Sequence, residues 1–128
     1  MNDRARRLVA EFIGTAFLLA GVIGSGIMAT NLTDDVGLQL LANAAATAGV
    51  LYMIILAFGP VSGAHFNPAV TIADAWQGNR PWSDVGPYIV TQIAGGAVGV
   101  ITANVMFELD AISISCLLYT SDAADDET

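Results

Sequence analysis

The sequence predicts an all-α membrane protein with three transmembrane helices and one re-entrant half-helix. Three observations lead there. Of 128 residues, 55% are hydrophobic and only 12% are charged, whereas an average soluble domain carries about twice that share of charge to coat its surface. No Asp, Glu, Lys or Arg occurs in residues 12–33, 36–73 or 85–107, and each of these stretches reaches the roughly 20 apolar residues that a crossing helix needs. Between the second and third spans, residues 59–76 open on Gly59-Pro60, a break that leaves too little regular helix to cross.

The first span is predicted over residues 8–29, preceded by Arg4, Arg6 and Arg7 and containing one acid, Glu11. It is longer than the 7–15 apolar residues of a signal-peptide core. Residues 30–35 are polar and turn-like, and the second span covers 36–58. Two glycines and a proline in 59–66 argue against helix there. Asn67 is then a favoured N-cap and Pro68 fits the first helical position, where its missing N–H costs nothing. From Pro68 to about Trp76 the chain makes a helix spanning about half the hydrocarbon thickness at ~1.5 Å per residue. Residues 78–81 form a turn, and the third span covers 85–107.

Arginine placement sets the expected orientation, since bases near span ends favour the cytoplasm. Arg4, Arg6, Arg7 and Arg80 fall on one face only if residues 61–76 enter and leave without crossing. Asp34, Asp35, Glu108 and Asp110 then lie on the other face, with the N-terminus cytoplasmic in a plasma or bacterial inner membrane. Small residues recur at four-residue spacing in Gly21, Ser25 and Ala29 and in Gly95, Gly99 and Ala103, the pattern that lets helices approach closely in lipid.

The net charge of −8 is not a uniform property. Residues 116–128 hold four acids (Asp122, Asp125, Asp126, Glu127) and no base. Cys116-Leu117-Leu118-Tyr119-Thr120-Ser121-Asp122-Ala123-Ala124-Asp125 resembles a translated transposase adapter from sequencing libraries. The expected organisation is therefore a membrane unit over 1–115 and an acidic, non-native tail over 116–128. The single cysteine, Cys116, can form no internal disulfide.

The chemistry lies in Gly59-Pro60-Val61-Ser62-Gly63-Ala64-His65-Phe66-Asn67-Pro68-Ala69-Val70-Thr71. Irregular backbone at membrane depth is tolerated where protein or a water-filled cavity satisfies it. An extended Gly63–Phe66 segment offers the carbonyls of Gly63, Ala64, His65 and Phe66. The Asn67 amide offers two donors. A half-helix that starts inside the membrane points its positive end inward, which accommodates neutral hydrogen-bonding solutes and opposes cations and protons. Broken helices also build carrier sites, so this geometry fits a channel or a carrier.

Residues 62–71, Ser-Gly-Ala-His-Phe-Asn-Pro-Ala-Val-Thr, resemble the first signature loop of the major intrinsic protein family, the aquaporins and aquaglyceroporins. Ala10-Glu11-Phe12-Ile13-Gly14-Thr15 resembles the family's first-helix motif, and residues 88–96 (Tyr-Ile-Val-Thr-Gln-Ile-Ala-Gly-Gly) resemble the start of its third helix. The resemblance covers about residues 8–115. It implies two inverted repeats in the family fold, of which this chain carries the first, with Asn67, Pro68 and Ala69 as one of two pore loops. It also implies a passive channel for water or small neutral solutes, glycerol or undissociated arsenite among them, assembled as a homotetramer. A single repeat lacks the second loop and its filter arginine, so residues 1–115 alone are expected not to conduct. The family's helix-two filter residue stands twenty before the loop asparagine, which is Thr47, and a small hydroxylated residue there implies a wide, polar constriction. Glu11 is implied to support the loop backbone.

The remaining candidates have plainer readings. His65 is the sole histidine and is expected to bond the turn's backbone rather than a metal. Asp74 reads as a solvated helix end, and Trp76, Trp82 and Tyr88 as interfacial anchors. A lone His65 beside Ser62 is too little for an intramembrane enzyme, and the acid-free stretch 36–73 counts against half of a secondary transporter. No cofactor, metal or nucleic-acid partner is expected. The lipid bilayer is the expected surroundings.

Overall fold

The computed structural model describes residues 1–112, so the tail expected over 116–128, with Cys116, and the expected end of the native sequence near Ser115 lie outside the described residues. The order of elements is α1 (Asp3–Leu32), α2 (Val36–Ser62), α3 (Pro68–Trp76), a 3-10 turn (Trp82–Asp84) and α4 (Val85–Met106). Three of the helices are long and apolar enough to cross a membrane, and among the described residues there is no strand. The helical membrane architecture is the one the uncharged stretches predict.

The helices run past the apolar segments that nucleate them. Asn2 caps α1, its side chain accepting from Ala5 N–H at 2.8 Å, so the basic leader becomes the first turns of α1. The far end of α1 reaches Leu32 rather than stopping at 29. Asp35 caps α2 by accepting from Leu38 N–H at 3.0 Å.

The expected break at Gly59-Pro60 does not occur there, because α2 continues through both residues to Ser62. A proline removes one helical hydrogen bond, here the one to the Leu56 carbonyl. Membrane helices absorb such a loss when neighbouring groups re-satisfy the backbone, and the ladder resumes with Gly63 N–H donating to the Gly59 carbonyl at 3.0 Å. Gly63, at φ 92°, is what ends the helix. A left-handed residue at this position is the usual stop, and it falls four residues later than the Gly-Pro pair suggests.

The first helix is the centre of the bundle. It packs on α2 along one side and on α4 along another, and α3 rests on α4. The two rows of small residues account for both close crossings. A Cβ at Gly95 would overlap the Phe12 carbonyl, and one at Gly99 the Ala16 carbonyl, so α4 lies directly on the backbone of α1. On the other side a Cβ at Gly21 would stand 2.8 Å from Val50 of α2. Beside it, Asn43 Nδ2 donates to the Val22 carbonyl (2.8 Å) and to Ser25 Oγ (3.0 Å). That polar contact inside an apolar interface fixes the register of the α1–α2 pair.

All four arginines of the chain gather at one end of the bundle. Arg4 donates to the Ser83 carbonyl at 3.0 Å, Arg7 and Arg80 approach Asp84 at 3.3 and 3.8 Å, and Arg80 donates to the Ser62 carbonyl at 2.9 Å. The start of α1, the end of α2, the end of α3 and the start of α4 therefore share one end. The chain leaves that end at Gly63 and is back at it by Arg80.

The contact of α4 with the α1 backbone leaves no side chain to move aside. Gly95→Leu is expected to cost about 3 kcal/mol, the upper part of the range for overpacking, read as a lowered thermal midpoint in detergent. A Cβ at Gly49, inside α2, would meet no atom within 4 Å, so Gly49→Ala should instead stabilise by about 0.5–1 kcal/mol.

Candidate functional site: a capped half-helix on a buried carboxylate

The segment Gly63–Asn67 joins α2 to α3, and its conformation is set residue by residue. Gly63, Ala64 and Phe66 all have positive φ, at 92°, 53° and 49°. Left-handed Ala and Phe are uncommon and persist where surroundings enforce them. The enforcing group is Glu11, a fully buried residue one turn into α1 from Arg7.

Each oxygen of Glu11 accepts two hydrogen bonds. Oε1 receives Ser62 Oγ–H at 2.6 Å and His65 N–H at 3.0 Å. Oε2 receives Phe66 N–H at 2.7 Å and Gln92 Nε2–H at 2.9 Å. Ser62 Oγ in turn accepts from Ala64 N–H at 3.1 Å. Every backbone N–H from Gly63 to Phe66 is thereby used inside the protein, Gly63 on the Gly59 carbonyl and the other three on Ser62 or Glu11. Among the described residues, none of the four carbonyls of Gly63, Ala64, His65 and Phe66 has a hydrogen-bond partner. Donors are consumed and acceptors are left open.

Pairs of side chains then fix the depth and tilt of α3. The Phe66 ring lies against Gly14, where any Cβ would overlap it, and meets Phe58 edge-on at 6.2 Å between centroids. Gly14 is seven residues along α1 from Arg7, about 10 Å at the helical rise. Gln92 Nε2 also donates to Thr71 Oγ1 at 3.0 Å, tying α3 to α4. The start of α3 at Asn67 and Pro68 shares a cavity with Thr15, Leu19, Gln92 and Gly96, level with the middle of α4.

Asn67 caps α3 in extended conformation (φ −156°), its Oδ1 accepting from Ala69 N–H at 2.8 Å, and Pro68 takes the first helical position. That arrangement occupies the Asn67 oxygen and leaves Nδ2 with two donors and no partner among the described residues. Asn67 and Ala69 are exposed.

Closer to the arginine end, a polar lattice locks the return of the chain. The Ser62 carbonyl, an orphan of the α2 terminus, accepts from Arg80 Nη2 and from Tyr88 Oη–H, both at 2.9 Å. Arg80 lies over the Tyr88 ring, 4.2 Å from its centroid, and its Nε donates to Asp74 Oδ2 at 3.2 Å. His65 Nε2 faces the same Asp74 oxygen at 3.3 Å, and its Nδ1 lies 3.0 Å from Thr71 Oγ1.

Three sequence-level readings change here. Tyr88 is 1% exposed, a buried donor to the Ser62 carbonyl rather than an interfacial anchor. Asp74 is the shared acceptor of Arg80 and His65 rather than a solvated helix end. The His65 ring bonds side chains of α3, and it is the His65 main-chain N–H that meets Glu11. Thr71 and Gln92 stand inside the quoted motifs with no role read for either, Ser62 is read there only as a neighbour of His65, and Arg80 only as a marker of orientation. Thr47 is half-buried in α2, one turn after Asn43. Among the described residues no cluster of three or more His, Cys, Asp or Glu side chains could hold a metal ion.

Replacing Glu11 by glutamine keeps the shape and reverses one acceptor. The new amide N–H must then face the donors of Ser62 and His65 or those of Phe66 and Gln92. Glu11→Gln should cost about 2 kcal/mol or more, with faster hydrogen exchange at the His65 and Phe66 amides as the local readout. At the arginine end Asp84 is 5% exposed and faces Arg4, Arg7 and Arg80. Asp84→Asn is expected to cost about 3 kcal/mol because it strands charges at a buried site, measured by thermal unfolding in detergent.

The chain is similar in sequence to known membrane proteins. The family model described as "Major intrinsic protein" matches residues 2–123. Aquaglyceroporin AqpS of Rhizobium meliloti (strain 1021) is 44% identical over 121 residues, covering 94% of this chain and 52% of the relative. Aquaporin NIP6-1 of Arabidopsis thaliana is 40% identical over 104 residues, 80% of this chain and 33% of the relative. Aquaporin NIP1-2 of the same plant is 35% identical over 105 residues, 82% and 35% respectively. The chain thus spans about half the length of the first of these relatives and about a third of the plant proteins. With three apolar helices of crossing length and a family match over nearly all its residues, this multi-pass membrane protein belongs to the major intrinsic protein family.

Proposed function

We propose that the whole protein is a passive channel for water and small neutral solutes, and that Gly63–Ala69 forms one half of its pore. The observation that carries this reading is the asymmetry of the loop: four consecutive N–H groups are bound inward, and four consecutive carbonyls, followed by the Asn67 Nδ2 donors, are left open. A solute passing them exchanges water's hydrogen bonds for these at little cost. The start of α3 at mid-depth adds a positive helix end that opposes cations.

In this reading residues 63–76 dip into the bilayer and return to the face they left, and residues 1–115 form the first of two inverted repeats with a separate tail over 116–128. The arginine end is cytoplasmic, in a plasma or bacterial inner membrane, and the full-length protein is a homotetramer. Thr47, twenty residues before Asn67, is the filter position contributed by α2. Its small hydroxylated side chain and the 44% identity to a protein named an aquaglyceroporin favour glycerol-sized neutral solutes, undissociated arsenite included, over water alone.

A coupled carrier is the weaker reading. The acid within the α1 span, Glu11, has both oxygens filled by four donors and offers no free lone-pair position to a coupling ion.

The test uses the full-length protein in liposomes. Swelling in glycerol above that of empty liposomes is expected, and Thr47→Phe should slow glycerol relative to water roughly tenfold or more, within the range of steric discrimination in a pocket. Swelling equal to empty liposomes for both water and glycerol would overturn the channel. An unchanged ratio in Thr47→Phe would overturn the filter assignment alone. Cysteines at positions 4 and 79 should label from the same side of the membrane, and opposite labelling would sink the re-entrant path.

A further inference from the structure

We infer that the cleft between the first turns of α1 and the last turn of α2 binds the headgroup of an anionic phospholipid. This inference does not depend on what the channel conducts. The cleft is lined by Asp3, Arg6, Arg7, Pro60 and Val61, at the end of the bundle where all four arginines gather. Its cationic groups are incompletely used. Arg7 is partly exposed, and only its Nη1 reaches a carboxylate, Asp84 at 3.3 Å. Arg6 is paired only with Asp3 at 3.7 Å, and those side chains are 55% and 90% exposed. An exposed pair of this kind holds its partners weakly, so the Arg6 guanidinium can turn to a better acceptor.

Three further features favour an anion from the membrane. The cleft adjoins the N-terminus of the 30-residue helix α1, whose dipole and free N–H groups attract negative charge. The negative end of α2 beside it is muted, since the Ser62 carbonyl already accepts from Arg80 and Tyr88. Exposed Trp76, the last residue of α3, and exposed Trp82, just before α4, lie at this same end, which sets the cleft at headgroup level. A basic pocket between membrane helices at that level matches a phosphodiester, whose two oxygens suit two guanidiniums. The facing charges are Arg4, Arg80, Asp74 and Asp84, which are engaged with one another, and Asp3, which opposes an anion and must swing aside.

The full chain in neutral detergent is titrated with dioleoyl-phosphatidylglycerol or dioleoyl-phosphatidylcholine, and bound lipid is counted by native mass spectrometry. Phosphatidylglycerol should be retained at roughly fivefold lower concentration than phosphatidylcholine, with Arg6→Gln removing roughly fivefold of that affinity, the worth of one arginine near an anionic surface. Asp3→Asn should strengthen retention, a gain that a misfolded variant would not give. Millimolar inorganic phosphate should leave the lipid bound. Equal retention of the two lipids overturns the proposal, as does an unchanged preference in either variant. Displacement by inorganic phosphate overturns it too, by making the cleft a free-anion site.

Discussion

A carboxylate enclosed by apolar helices has no water to stabilise it, so each of its lone pairs must be met by a donor or the fold must exclude it. Glu11 is met four times. Two donors come from the main chain of the loop, one from the end of α2 and one from α4, and the acceptor itself stands on α1. One side chain therefore joins three helices to an irregular segment that could not hold its shape alone. The positive φ angles of Ala64 and Phe66 are affordable because two N–H groups gain a charge-assisted acceptor in that conformation. The cost of leaving those N–H groups unbonded in a low-dielectric interior would be larger than the backbone strain.

The same bonding decides which backbone groups of the loop are left without a partner among the described residues. A peptide segment has as many donors as acceptors, and a buried acceptor such as Glu11 takes only the donors. What remains is a short row of carbonyls, followed by an asparagine whose oxygen is spent on its own helix cap. The half-helix is thus more than a plug. Its cap consumes one polar atom and exposes another, and its depth is set by Phe66 seated in the space that Gly14 leaves.

Lipid offers apolar side chains as good a home as protein does, so the helices must be joined by close fit and by polar contacts. The glycine rows supply the fit. At Gly95 and Gly99 the approach is close enough for α4 to touch the carbonyls of α1. Asn43 supplies a polar contact between α1 and α2. At the arginine end, Asp74 and Asp84 collect guanidinium groups from α1 and from the turn before α4, which holds the returning chain to the end it left.

Residue order alone determined the number and class of the helices, because crossing a hydrocarbon layer demands uninterrupted apolar length, and that property is local and one-dimensional. It also determined the start of α3, since an Asn-Pro pair writes a cap and a first turn directly into the chain. The small-residue rows were legible for the same reason: four-residue spacing on a helix is a face. The end of α2 was not legible, because whether a helix survives Gly59-Pro60 depends on the neighbours that receive its orphan groups, and Arg80 and Tyr88 are 18 and 26 residues from Ser62. The roles of Tyr88, Asp74, Gln92 and the His65 main chain were likewise decided only by tertiary contact. Each is a polar group whose partner lies on another element, and nothing in a linear string states which distant donor will meet which acceptor.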